Sequence, residues 1–512
     1  MGGQPADYEN VRLTGQLSRD LSMVRRIFLR DSILRIRPLY CAAIGQKCAA
    51  VYFDGMVNSD LLVEGIFRPM TQSAPIHCPH GNRAGDTDAA VALLAERVLA
   101  ADDVKVVQTL GEMLRAVMYG DTLLLVDGST SALTVNSKGW KTRGIDEPED
   151  ERVLEGPREG FNESAMISTA LLRRKLQTPD FSVELLRVGR RTDTKVYLCY
   201  LGSLAPRRLV KALRQRIASI DIDGILDVNY LSELMSDRPR QLFRTSGTTE
   251  RPDVVAARLL EGRIAILCDG SPMALTVPYL FSENFQSDED YYQPAPVACV
   301  GRFLRYLSFF LSISVPAVYV ALTVFHRRLL PTAFLLSVSA ARQGVPIASV
   351  TECLLLILIF EILKEAGLRT SQSLGNALSI VGGLVVGQAA VEAKFVSAPM
   401  LIIVALSGIA GLMVPRLRAP VFYLRLLLVI AAATLGLFGY MAVMAAVIVR
   451  ILSLRSYGFD ETPALSSPSY QSFKDTILRA PIGKMRLRPP LTGNRIRLKM
   501  QKGRRAERDR GV

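Results

Sequence analysis

One thirteen-residue stretch occurs twice in this chain. Leu123–Val135 reads LLLVDGSTSALTV and Ala265–Val277 reads AILCDGSPMALTV. Aligned without gaps, eight of the thirteen positions are identical, at an offset of 142 residues. Each copy is an apolar run, then Asp-Gly-Ser, then a second apolar run. Asp-Gly accepts the positive φ angles of a tight turn, so each copy predicts a β-hairpin, turning at Asp127-Gly128 and at Asp269-Gly270. A second pair, VYFDGMV from Val51 and VYLCYLG from Val196, recurs at nearly the same spacing. Two unrelated hairpins that share a turn would not carry it. The pattern predicts two tandem, similar α/β subdomains, residues 26–155 and 156–298, behind a flexible N-terminus over 1–25.

The remainder of the chain is of another kind. Residues 1–300 are charged and alternating, whereas long apolar runs begin at Phe303. Four are long enough for a bilayer, which takes about 20 apolar residues: Phe303–Phe325, Leu374–Val391, Phe395–Val414 and Val421–Ile451. The last is over-long and contains Arg425, so its span is expected to start after that residue or to tilt. Two shorter runs, Leu329–Ala341 and Cys353–Leu363, are separated by RQGVP, and neither spans alone. They read as a re-entrant pair, giving four crossings, or as short spans, giving six. An all-α polytopic membrane domain is thus expected over 299–455.

Charge sets the expected orientation. The tail over 456–512 holds thirteen Lys/Arg against five acids, which should keep it cytoplasmic. The first thirty residues carry five arginines and no apolar core, so the N-terminal region is expected on the same side. The crossings are then even in number. The tail reads as a contact with anionic lipid rather than with nucleic acid, because it lacks interleaved aromatics that would stack bases.

Chemistry-bearing residues are few. His77, Cys78 and His80 are metal-ligand types, but no second cluster completes four positions, so no metal is expected. No phosphate loop, nucleophile elbow or two-histidine helix motif occurs, and nothing points to an enzyme or a cofactor. Seven scattered cysteines suit a reducing compartment. In the membrane half, FEILKEAGLRT puts Glu361, Lys364 and Glu365 on one helical face, with Arg369 at its end. VGGLVVGQAAVEAK places Gln388 and Glu392 beside glycines that allow close helix packing. Polar groups at such depth face an aqueous path or pair at headgroup level. In the soluble half, GTTERPD offers Glu250, Arg251 and Asp253 around Pro252. Arg251 can form a bidentate pair with a carboxylate, with Glu159, Glu163 and Asp253 as candidates.

EGPREGFNESAMISTALLRRKL (Glu155–Leu176), with Arg158, Glu159, Arg173 and Arg174, resembles the A subunit of GerA-type spore germinant receptors. The resemblance continues through TERPD, EGRIAILCDGSPMALTVP, DEDYY, RFLRYL, EILKEAGLR and IVGGLVVGQAAVEA to LRSYGFDETP. It implies a multi-pass protein of the spore inner membrane that works with a transporter-like, nutrient-sensing B subunit and a lipoprotein C subunit. It further implies A-subunit oligomers that line a nutrient-gated ion channel. A related accessory spore membrane protein, a secondary transporter and a membrane anchor for soluble partners are the competing readings.

Overall fold

The computed structural model describes residues 8, 10–74, 84–139, 148, 151, 153, 155–237, 241–369, 387–462, 475–485 and 488. His77, Cys78 and His80 lie outside them. The chain divides into two compact units. One holds most of the chain up to Tyr279, and the other runs from Leu280 to Met485 with the short piece Arg240–Arg244. That division falls earlier than the expected 298/299 boundary.

The first unit contains both subdomains. In the first, α1 (Leu17–Ile27) precedes β1 (Leu34–Cys41) and β2 (Gln46–Phe53). A π-helical turn leads into α2 (Arg68–Gln72), followed by α3 (Ala84–Arg97), β3 (Val104–Val107), α4 (Leu110–Met118), β4 (Thr122–Val126) and β5 (Ala132–Val135). The second repeats the plan with α5 (Ala165–Lys175), β6 (Phe181–Val188), β7 (Thr194–Leu201), α6 (Arg207–Ala218), α7 (Val228–Met235), β8 (Gly247–Thr249), α8 (Pro252–Leu260), β9 (Ile264–Cys268) and β10 (Ala274–Val277). The sheets have orders β1-β2-β4-β5-β3 and β6-β7-β9-β10-β8, the same permutation. All ladders within them are antiparallel. The repeated stretch is the central hairpin of each sheet, β4–β5 and β9–β10, with every strand residue buried. That burial on both faces is why the strands read as unbroken apolar runs.

The Asp-Gly-Ser turn does the same work twice. Gly128 and Gly270 take φ of 85° and 88°, a region that side chains with a Cβ avoid. Asp127 Oδ1 accepts the Leu17 N–H (3.0 Å), and Asp269 Oδ1 accepts the Ala165 N–H (3.1 Å). These are the first residues of α1 and α5, whose own N-cap side chains make no capping bond. A carboxylate thus satisfies an orphan helix donor where the macrodipole favours negative charge. The serines repeat as well: Ser129 donates to Asp88 on α3, and Ser271 to Asp227, the N-cap of α7. α1 therefore begins inside the stretch expected to be a flexible N-terminus, because the hairpin aspartate anchors it.

The second unit is helical: α9 (Ala295–Val324), α10 (Thr332–Ala341), α11 (Ser349–Arg369), α12 (Ala398–Leu412) and α13 (Arg418–Leu452), with a short β11–β12 ribbon (Arg455–Ser456, Phe459–Asp460) behind them. Ala295–Val324 and Pro415–Leu452 are long and apolar enough to cross a membrane. The helices differ from the apolar runs at two places. α11 is 21 residues long, about twice the apolar run Cys353–Leu363, because the charged residues EILKEAGLR continue the same helix. The over-long last run is not one continuous helix. Arg425 lies inside α13, and the helix breaks at Gly436, whose φ of 62° and ψ of −142° end the helical ladder. Arg425 touches Ser312 while Tyr440 touches Ser314. Fifteen residues of straight helix would separate those two by about 22 Å, yet their partners are one short step apart on α9. A Cβ at Gly439 would also collide with the Ala431 carbonyl. α13 is therefore a tight helical hairpin of two arms. Most of the expected span Leu374–Val391 lies outside the described residues.

Candidate functional site

Three of the charged groups predicted in the membrane half, Glu361, Lys364 and Glu365, gather in one place. α11 carries Glu361, Lys364 and Glu365 one turn apart. Lys364 Nζ lies 3.2 Å from Glu361 Oε1. Arg418, the first residue of α13, reaches 2.7 Å to Glu365 Oε2 and 4.0 Å to Glu361 Oε1. Two carboxylates and two cations thus form a charge-balanced cluster between two helices, half-buried except at the exposed Glu365. Arg418 was not among the predicted residues, and its contact spans 53 positions, with no local pattern to announce it. Gln388 and Glu392 are exposed and hydrogen-bonded to each other (3.1 Å). The Arg369 side chain lies outside the described residues.

A second polar layer lies deeper. Arg425 is 3 % exposed and donates to the Ser312 carbonyl (2.8 Å), the Ser312 hydroxyl (2.6 Å) and the Ser407 carbonyl (3.0 Å). It ties α9 and α12 to α13. Glu352, fully buried, accepts the N–H and hydroxyl of Ser397 (2.5 and 2.6 Å) and so caps α12 from α11. Such groups inside an apolar bundle need partners, and these have backbone and hydroxyl partners from neighbouring helices.

At the start of α9 two quoted motifs meet. Asp290 of DEDYY pairs with Arg302 (2.8 Å) and Arg305 (2.9 Å) of RFLRYL. Arg302 also pairs with Asp475 (2.8 Å), and the Arg479 guanidinium donates to the Gln293 and Tyr291 carbonyls. Burial pushes the Asp290 carboxyl up, but the two arginines more than offset it and hold it below the usual range. The tail therefore returns against α9, held through the half-buried Asp475 and the buried Arg479 while Ile477, Leu478 and Ile482 stay exposed, which its composition did not reveal. Nearby, Glu461 is 1 % exposed and neither carboxyl oxygen is hydrogen-bonded among the described residues. Burial, with the Glu283 charge beside it, pushes it up to about 8.

The predicted residues of the soluble half are structural neighbours of the subdomain junction and of α8. Arg173, fully buried, pairs with Asp31, stacks on Phe53 (3.9 Å) and Phe181 (5.0 Å), and donates to the Phe181 carbonyl. Asp31 belongs to the first subdomain and Arg173 to the second. Burial pushes the Asp31 carboxyl up and the Arg173 guanidinium down, each toward its neutral form, so desolvation outweighs their attraction. Arg174 and Lys175 both pair with Glu159. Arg158 is exposed. Arg251, also fully buried, holds Asp253 in the bidentate geometry expected (3.2 and 2.7 Å) just where Pro252 opens α8. Of its candidate carboxylates, Asp253 is the one in that fork. The backbone N–H of Glu250 donates to Glu151.

Comparison with known proteins places these features in a family. The family described as Bacillus/Clostridium GerA spore germination protein matches residues 22–491. Spore germination protein KA of Bacillus subtilis (strain 168) is 37% identical over 461 residues, 90% of this chain and 83% of that protein. The uncharacterized membrane protein YfkQ of the same organism is 35% identical over 441 residues, 86% and 84% of the two chains. Spore germination protein GerLA of Bacillus cereus is 32% identical over 481 residues, 94% and 96%. A crystal structure of the N-terminal domain of the A subunit of the Bacillus megaterium spore germinant receptor GerK3 covers 53% of this chain and 97% of its own, at 29% identity and a TM-score of 0.39.

Proposed function

Because the chain belongs to the GerA family of spore germination proteins, we propose that it is the A subunit of a nutrient receptor in the spore inner membrane and forms a nutrient-gated cation channel. It works with a transporter-like B subunit that senses the nutrient and with a lipoprotein C subunit. Copies of the chain surround an axis, and the N-terminal unit and tail face the cytoplasm. The observation that supports this reading is the Glu361–Lys364–Glu365–Arg418 cluster. Repeated around an axis, its carboxylates become rings that lower the energy of a permeating cation. Lys364 and Arg418 neutralise them, as the closed state of this reading requires. Opening draws Arg418 away from Glu361 and Glu365 and leaves net negative charge facing the path. The nutrient-bound B subunit supplies the differential binding energy for that change.

Spores carrying Glu361→Gln test the reading. Nutrient-triggered cation release should change in rate while receptor abundance stays at the wild-type level. Wild-type release at wild-type abundance would remove Glu361 from the path.

A further inference from the structure

Helices α1 and α5 hold the same place in the two subdomains, and both end in an Arg-Arg pair. Arg25-Arg26 begins eight residues after Leu17, and Arg173-Arg174 begins eight residues after Ala165. In α5 both arginines are neutralised, Arg173 by Asp31 and Arg174 by Glu159. In α1 neither is. Among the described residues no carboxylate lies within ion-pair distance of Arg19, Arg25 or Arg26. Val11 stands six residues before α1, where Glu159 stands six before α5. The sole acid of α1, Asp20, is buried and accepts the Thr14 N–H and hydroxyl.

The outward face of α1 is therefore cationic only, and an apolar group projects from the turn just past its C-terminus. Ser18, Ser22 and Arg25 form one row at helical spacing, with Arg19 and Arg26 beside it, and Leu29 follows in the turn two residues after the helix ends at Ile27. Leu29 is 75% exposed, more than Phe438 at 73%, the most exposed of the large apolar side chains in the membrane helices. Its counterpart in the second subdomain is the polar Gln177, twelve residues after Ala165 as Leu29 is twelve after Leu17. Two arginines in a last turn complement the helix macrodipole. That accounts for the charge, but not for the lost acids or for a leucine held in water.

We propose that this face of α1 is a docking surface for anionic lipid headgroups, with Arg19, Arg25 and Arg26 on the phosphates and Leu29 in the acyl boundary. It rests on the membrane residence proposed above. The combination of unpaired cations with a projecting apolar side chain suits a lipid interface, where one end of the patch is wet and the other is not. No aromatic side chain interleaves the arginines to stack nucleic-acid bases.

The test uses the full chain with Leu29→Cys in nanodiscs of phosphatidylcholine with or without phosphatidylglycerol. Labelling of the introduced thiol by a water-soluble maleimide is followed by mass spectrometry of the labelled peptide. Each arginine near an anionic surface contributes about a fivefold effect, so labelling should slow at least about fivefold in the anionic discs. High salt, or Arg25→Glu with Arg26→Glu, should restore the rate without changing thermal unfolding. Equal labelling in both lipids would overturn the proposal. Slow labelling in both would also overturn it, since it would assign the face to a protein surface. Failure of the chain to enter nanodiscs would instead strike at membrane residence itself.

Discussion

The two α/β subdomains share a strand order, a central hairpin and an aspartate that anchors the first helix, yet their charged side chains have diverged. The shared parts are those the backbone requires. The turn needs Gly128 and Gly270, and the orphan N–H groups need Asp127 and Asp269. The divergent parts belong to surfaces. The second subdomain pairs Arg173 of α5 with Asp31 of the first and Arg174 with its own Glu159, whereas α1 shows the equivalent arginines to solvent. A duplicated fold keeps its local chemistry and spends its freedom on what each copy touches.

The largest expected effect sets Arg173 against Arg25. Arg173→Met leaves Asp31 buried without its partner, and should destabilise the α/β unit by about 3–5 kcal/mol, while Arg25→Met should stay within about 0.5 kcal/mol. The double change Arg173→Met with Asp31→Leu should recover most of the loss, because burial already disfavours both charges. Unfolding of the purified chain measures all three. Equal losses for the two arginines would break the distinction drawn between the helices.

A middle-sized effect tests what the copies share. Asp127→Ala and Asp269→Ala each remove a carboxylate from the N-terminus of its helix, and each should cost about 1 kcal/mol. A loss at one site alone would mean that the matching hydrogen bonds do not carry matching energies.

The smallest effect is a pH dependence. Burial raises Asp88 and Asp227, but hydrogen bonds offset it: from Ser129, Thr130 and Ser131 at Asp88, and from Ser271, Asn229 and Val228 at Asp227. Both carboxyls end below the usual aspartate range. The unfolded chain then binds protons more readily, so this stability is present above about pH 4 and is lost as pH falls through the folded values. Ser129→Ala and Ser271→Ala should each flatten the acid limb of a stability profile, and to a similar degree. An unchanged limb in both variants would show that the serines do not set these carboxyls.

Legibility in the sequence followed distance along the chain. The hairpins at Asp127 and Asp269 were legible because turn chemistry is local, and the Arg251–Asp253 fork because its members are two residues apart. The partners of Arg302 and Glu365 were not, since Asp475 and Arg418 lie 173 and 53 positions away. Gly436 was hidden for another reason. A glycine in an apolar run usually serves helix packing, and nothing in composition separates that use from a break in the ladder. Leu29 read as one apolar residue among many until its exposure set it apart.

The central claim is that carboxylates of this chain line a cation path, and ion selectivity of the reconstituted receptor tests it most directly. Reversal potentials in a salt gradient would be recorded with nutrient present, for wild type, Glu361→Gln and Glu392→Gln. The account predicts cation preference in wild type and a weaker preference or altered conductance in the variants, with Glu361→Gln the more affected because Arg418 and Lys364 loosen with it. An anion-selective pore, or currents unchanged in both variants, would contradict it.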